Sequence, residues 1–262
     1  MLNFEDILKS YPPRLQSFKE NILKEYLQYK ILDLLFTSEL ASKLIFLGGT
    51  AIRIIHNSPR FSEVLDFDNK GLTSFDFSKI SHYLKYELEL DGYEVEIKEI
   101  LKGTYHCYIK FPGLFFQYGL SGYKEEKILI QIDSEPQDYD YVPDKHLLNN
   151  FGIFRYINVV PPNLLLSQKI GAIITRKREM GRDFFDVVYL MSKTDPDYQY
   201  LEVKLNIDSK DLLIKRLKEK TERLDFKTLA KDIEPFLFHP KEKDRVLYFK
   251  EWLDKLDEEN RS

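Results

Sequence analysis

The residues best suited to chemistry are carboxylates and cations set around a pair of glycines. In Arg60-Phe61-Ser62-Glu63-Val64-Leu65-Asp66-Phe67-Asp68 an apolar strand carries acids at i and i+2. Side chains two apart on a strand share a face, about 6.6 to 6.8 Å from one another, so Asp66 and Asp68 are placed to face one metal ion. An acidic strand end entering a solvated turn gives the same pattern. A third acid, Asp133, ends the run Lys127-Ile128-Leu129-Ile130-Gln131-Ile132-Asp133. It reads either as a turn starter or as the neighbouring-strand carboxylate that a two-metal phosphoryl-transfer centre requires. Upstream, Leu47-Gly48-Gly49-Thr50 is a glycine turn leading into a helix, either a plain tight turn or one whose amides admit a phosphate. Lys169 and Arg176 lie seven residues apart on one helical stripe and can reach the same anion. Asp183 and Asp186 follow Gly181 and read as a helix cap with an acid on its first turn, or as part of a site. The basic cluster Arg176, Lys177, Arg178 and Arg182 fits a solvated face or a place for RNA phosphates.

These residues need elements to hold them. Apolar positions at helical spacing from about 3 to 40 predict a helical lead-in, and two short apolar runs, 44–47 and 64–67, flank a helix-period segment at 51–55. The order is therefore strand, glycine turn, helix, strand. Residues 83–90 read as a helix, and alternation from 93 to about 133 supplies the remaining strands of a mixed sheet. After Pro161-Pro162 the period turns helical over 163–180, 183–191, 210–224, 226–238 and 241–256. Phe236, Phe238, Tyr248, Phe249 and Trp252 are expected in the core of that half.

Composition narrows the class. The chain has 262 residues, 43% hydrophobic and 31% charged, with 39 Lys plus Arg against 43 Asp plus Glu. A formal charge of −4 excludes an indiscriminate nucleic-acid binder, so any such contact is focal. The single cysteine, Cys107, excludes a disulfide framework and a four-thiolate zinc site. With no export signal and no apolar stretch near the roughly 18 residues of a membrane span, the expected place is the cytoplasm and no membrane is expected as partner.

Taken together and in order, Phe46 to Arg53, Arg60 to Phe67, Lys169 to Arg176 and Arg182-Asp183-Phe184-Phe185-Asp186 resemble the successive motifs of the AbiEii-type nucleotidyltransferase toxins, a family of the DNA polymerase β-like nucleotidyltransferase superfamily. The resemblance implies an α+β fold: a polymerase β-like mixed sheet with flanking helices, then a helical C-terminal half. Residues 1–160 would form the nucleotidyltransferase domain with its helical lead-in, and 161–262 a helical domain completing the site. It further implies transfer of a nucleoside monophosphate from an NTP to an RNA such as tRNA, or to another acceptor, by the toxin of a toxin–antitoxin pair, with a cognate antitoxin as partner. Gly48, Gly49 and Thr50 at the helix start would hold the triphosphate, Ser62 would line its pocket, and Asp66, Asp68 and Asp133 would bind Mg2+. Lys169 and Arg176 would contact the triphosphate, and Asp183 or Asp186 would complete the catalytic set with Asp66 and Lys169.

One departure matters. Where the family reads Arg-x-Ser-x-Asp-Leu-Asp-Phe, this chain has Val64 in place of the first metal-binding Asp, and Asp68 lies about 13 Å along the strand from it. Two other functions therefore stand beside the enzyme: a catalytically degenerate member that binds nucleotide, RNA or antitoxin, and a small-molecule nucleotidyltransferase, for which the Lys169 to Asp186 block has no evident use.

Overall fold

The computed structural model describes residues 2–261. The chain forms two compact units, Met1–His56 with Phe61–Val160, and Asn57–Arg60 with Pro161–Ser262.

The first unit opens with helices α1 (Phe4–Lys9) and α2 (Lys19–Thr37), followed by strand β1 (Leu44–Leu47), helix α3 (Gly48–His56) and strand β2 (Val64–Asn69). Helix α4 (Ser74–Leu90), strands β3 (Glu96–Ile100) and β4 (Tyr105–Pro112), the short α5 (Leu114–Gln117), and strands β5 (Lys127–Glu135), β6 (Asp144–Asn150) and β7 (Ile153–Val159) complete it. The seven strands run in the order β3-β4-β5-β2-β1-β7-β6. The β2–β5 and β1–β7 pairs are parallel and the others antiparallel, which makes the sheet mixed and the fold α+β, as expected.

Alternation along β2 decides what faces what. Leu65 and Phe67 are buried on one face, Phe67 against Phe46 of β1 and Phe36 of α2, which leaves Val64, Asp66 and Asp68 on the other. Helix α2 is almost wholly buried along Ile22, Leu23, Leu27, Ile31 and Leu35. It also carries two buried polar groups that tie down the site. Glu25 takes Arg53 of α3 in a two-pronged ion pair (2.8 and 2.9 Å) and the Tyr11 hydroxyl (2.7 Å). Gln28 Nε2 donates to the carbonyl of Ser62, just ahead of β2, at 2.8 Å.

The second unit contains α6 (Pro162–Thr175), α7 (Gly181–Met191), α8 (Tyr198–Leu205), α9 (Lys210–Thr221), α10 (Phe226–Ile233), α11 (Asp244–Leu247) and α12 (Phe249–Arg261). Its core centres on Phe184, Phe226 and Phe249, whose rings meet at 5.0 to 5.6 Å. Phe249 is fully buried, whereas Tyr248, expected in the core, is 53% exposed. Gly181 is required by packing, since a Cβ there would sit 2.0 Å from the carbonyl oxygen of Leu229. The segment Asn57–Arg60 is built into this unit: Arg60 bridges Leu237 as a strand pair, and Phe238 N–H donates to the carbonyl of Pro59 at 3.0 Å. Helix α6 ends at Thr175, short of the expected 180, because Arg176 turns extended (φ −65, ψ 139). Among the described residues no helix is long and apolar enough to cross a membrane.

Candidate functional site

In the first unit, β1 gives way directly to α3 at Gly48, whose φ of +81 lies in the left-handed region that suits glycine. A Cβ on Gly48 would fall 2.1 Å from Asp66 Oδ2, so the turn exists in this form only because the residue has no side chain. Leu47 and Asp66 are register partners, which is why the glycine and the acid meet. Gly49 and Thr50 are buried in the first turn of α3, and the Thr50 hydroxyl donates to the carbonyl of Val64 at 2.5 Å, fixing the helix start to the start of β2. Ser62 is half-buried, with its carbonyl held by Gln28.

Asp66 and Asp133 are register partners across the parallel β2–β5 pair, so both carboxylates rise from one sheet face. Asp133 is held in place by neighbours: His106 Nδ1–H donates to Oδ1 at 2.7 Å, and the Gln131 amide donates to both oxygens at 2.8 and 3.0 Å. Of roughly four acceptor positions on a carboxylate, about one remains open. Asp68 is committed elsewhere. It is fully buried, and its oxygens take the Tyr141 hydroxyl (2.6 Å), the backbone N–H of Gln137 (3.0 Å) and the Lys70 ammonium (3.0 Å). Burial and this bond to Asp68 push the Tyr141 phenol above its ordinary value. Mg2+ takes one or two protein carboxylates and fills its octahedron with water and substrate phosphates. Asp66 with the remaining position on Asp133 meets that minimum, although no group of three or more His, Cys, Asp or Glu is gathered as a ready metal cage among the described residues.

The second unit joins four of the expected residues. Lys169 Nζ lies 3.1 Å from Asp183 Oδ1 and 3.0 Å from Asp186 Oδ2, and Arg176 reaches Asp183 Oδ2 at 2.5 Å. Asp186 also receives a bidentate fork from Arg60, Nε to Oδ1 at 2.7 Å and Nη2 to Oδ2 at 2.6 Å. The result is an alternating chain, Arg176–Asp183–Lys169–Asp186–Arg60, of three cations and two anions. It is almost dry at the Arg60 end (2% and 0% exposed side chains) and open at Arg176 (42%). Burial pushes the Asp186 carboxyl up, but Arg60 and Lys169 outweigh it and hold the group below the usual carboxylate range. Helix α7 starts at Gly181 with Met180 at its cap, so Asp183 is a first-turn residue whose carboxylate serves the cations rather than the helix end. The surplus positive charge, with Lys169 still 11% exposed, suits an anionic ligand.

Sequence reasoning gave no role to Arg60, His106 or Gln131. Arg60 stands in the quoted Arg-x-Ser motif, which was the available signal; His106 and Gln131 are ordinary strand positions with none.

The chain matches the family described as "Nucleotidyl transferase AbiEii toxin, Type IV TA system" over residues 30–255. No curated protein matches it. Its fold is similar to that of JHP933 from Helicobacter pylori, with a TM-score of 0.55 at 14% identity over 92% of this chain and 95% of that one. It is also similar to a second H. pylori structure described as a nucleotidyltransferase, with a TM-score of 0.56 at 14% identity over 91% and 97%.

Proposed function

The chain belongs to the AbiEii family of nucleotidyltransferase toxins of type IV toxin–antitoxin systems, and from that premise we propose that it transfers a nucleoside monophosphate from an NTP to an RNA end, tRNA first among the acceptors, and releases pyrophosphate. The observation that carries this reading is the meeting of Gly48 and Asp66: a side-chain-free helix start placed against a strand carboxylate. Phosphoryl transfer of this kind asks the protein for positioning and charge more than for a nucleophilic side chain. The amides of Gly48, Gly49 and Thr50 receive phosphate oxygens at the start of α3, and Ser62 borders them. A divalent ion, Mg2+ by expectation, held by Asp66 and Asp133 would offset charge on the triphosphate. His106 and Gln131 keep Asp133 from turning away. Lys169 and Arg176 supply cations for the triphosphate, and Asp183 and Asp186 hold those cations in place. A cognate antitoxin is the partner this family membership favours.

The test is incubation of the full chain with each α-labelled NTP, Mg2+ and bulk tRNA. Labelled RNA from the wild type, lost in Asp66→Asn, supports the transferase; no label with any of the four nucleotides overturns it. One observation favours a second reading, a member that binds without turnover: the position opposite Gln131 is Val64, and Asp68, the next acid along that strand face, is already engaged by Tyr141, Gln137 and Lys70. NTP bound at equilibrium without incorporation would identify that case.

A further inference from the structure

We infer that the α6–α7 loop is a preformed docking surface for the phosphate backbone of the acceptor RNA; this rests on the transferase reading above. The stretch Thr175-Arg176-Lys177-Arg178-Glu179-Met180-Gly181-Arg182-Asp183 holds four cations and two acids. Both acids are already neutralised, Glu179 by Lys220 at 3.0 Å and Asp183 by Lys169 and Arg176. Arg176 is paired with Asp183 and is already assigned to the triphosphate. Lys177, Arg178 and Arg182 remain, all three exposed and without an ion-pair or hydrogen-bond partner among the described residues.

The loop and the first turn of α7 that carry them are fixed at several points. Lys220 Nζ, from α9, donates to the carbonyl of Arg176 at 3.0 Å while also holding Glu179, so one lysine clamps both halves of the turn. Asp183 N–H closes on the carbonyl of Met180 at 3.0 Å, and Gly181 sits flush against the backbone of Leu229. Three uncompensated cations on a rigid turn lose little backbone freedom on binding, and they match a ligand with repeated negative charges. On a chain of net charge −4 such a patch is focal. An RNA acceptor is the polyanion that the proposed reaction requires.

The experiment compares the full-length wild type with a Lys177→Ala/Arg178→Ala/Arg182→Ala variant and with the charge-keeping Lys177→Arg/Arg178→Lys/Arg182→Lys variant. Binding of labelled tRNA is read by fluorescence anisotropy at several salt concentrations between 50 and 200 mM, without NTP. Each phosphate contact contributes about 0.7 to 0.9 to the salt slope, so the alanine variant should lose about 2 to 3 from the slope of log K against log salt and bind at least ~10-fold more weakly at low salt. The charge-keeping variant should match wild type, and melting temperatures should agree. Equal affinity and slope in the alanine variant would overturn the proposal. So would an unchanged slope accompanied by lost binding of a polyglutamate peptide, which would assign the loop to an acidic protein. Because the readout needs no turnover, failure of docking and failure of transfer are seen separately: a transferase whose tRNA binding ignores the loop refutes only the former, and salt-sensitive docking without labelled RNA refutes only the latter.

Discussion

Replacing Arg60 by methionine should cost the second unit much of its stability. Arg60 is 2% exposed and its guanidinium makes both 2.6–2.7 Å bonds to Asp186, which is itself fully buried. Methionine fills a similar volume but leaves that carboxylate with Lys169 alone. Removing one partner of a buried pair typically costs about 3 to 5 kcal/mol, against a total domain stability of about 5 to 15 kcal/mol. At about 5 °C per kcal/mol for a unit of this size, the melting transition should fall by about 15 to 25 °C. The pH dependence should also change sign. In the wild type the folded carboxyl of Asp186 lies below its unfolded value of about 3.9, so its contribution is full at neutral pH and is lost only as pH falls through the folded value. Without Arg60, burial, the largest single influence on this carboxyl, is opposed by Lys169 alone, so the folded pKa is expected to rise above the unfolded one. The deficit of Arg60→Met should then be largest at pH 7 and shrink as the pH is lowered toward 4.5. Adding Asp186→Leu removes the stranded charge and should restore part of the loss, which a double-mutant cycle followed by calorimetry measures. A single variant melting within 3 °C of wild type, or a double variant no better than the single, would refute the argument.

Gly48→Ala should lower incorporation of labelled nucleotide at least ~10-fold and destabilise by about 1 to 3 kcal/mol, since it combines a left-handed φ with a collision on Asp66; wild-type labelling would show that the turn can open without consequence. Val64→Asp should raise Mg2+-dependent incorporation, whereas Asp68→Asn should leave it within twofold and lower thermal stability by about 1 to 3 kcal/mol, because Asp68 serves Tyr141, Gln137 and Lys70. Abolished incorporation in Asp68→Asn would make it the missing ligand after all. Cys107 is buried and its thiol is pushed up to about 12 by burial, so a thiol reagent at pH 8 should leave the native protein unlabelled and label it fully in denaturant; rapid native labelling would mean that β4 opens readily.

Strong periodicity and a strand–glycine–helix order made β1, α3, β2 and β5 readable, along with most of the helical half. Other elements were hidden for particular reasons. In the β6–β7 hairpin the alternation is masked because Phe154 and Tyr156 lie on an open face, 69% and 64% exposed, where polar residues are expected. Its turn places Phe151 (φ 54) before Gly152 (φ 76), where asparagine is the usual choice. The phenyl ring is retained there by Tyr11, Tyr26 and Tyr29, whose rings lie 5.2 to 6.1 Å away. Helix α4 starts at Ser74 behind a Thr73–Asp76 capping box, a local signal that lies ahead of the apolar period beginning near Tyr83. In the candidate site, Gly48 and Asp66 could be paired from motif order alone. That Lys169 is engaged by two aspartates, and that Arg60 closes the chain, depends on contacts across 14 and 126 residues, which no local pattern encodes.

The borrowed segment Asn57–Arg60 also sets a timetable for synthesis. At about 5 to 20 residues per second, the 126 residues between Arg60 and Asp186 take about 6 to 25 s to make, so the arginine leaves the ribosome long before its carboxylate exists. Throughout that interval the nascent chain carries a guanidinium destined for a dry pocket that has not been translated. A chain interrupted anywhere before α7 therefore never acquires the Lys169–Asp186–Arg60 cluster, and a fragment begun at residue 161 has Asp186 and Lys169 but has left Arg60 on the other piece.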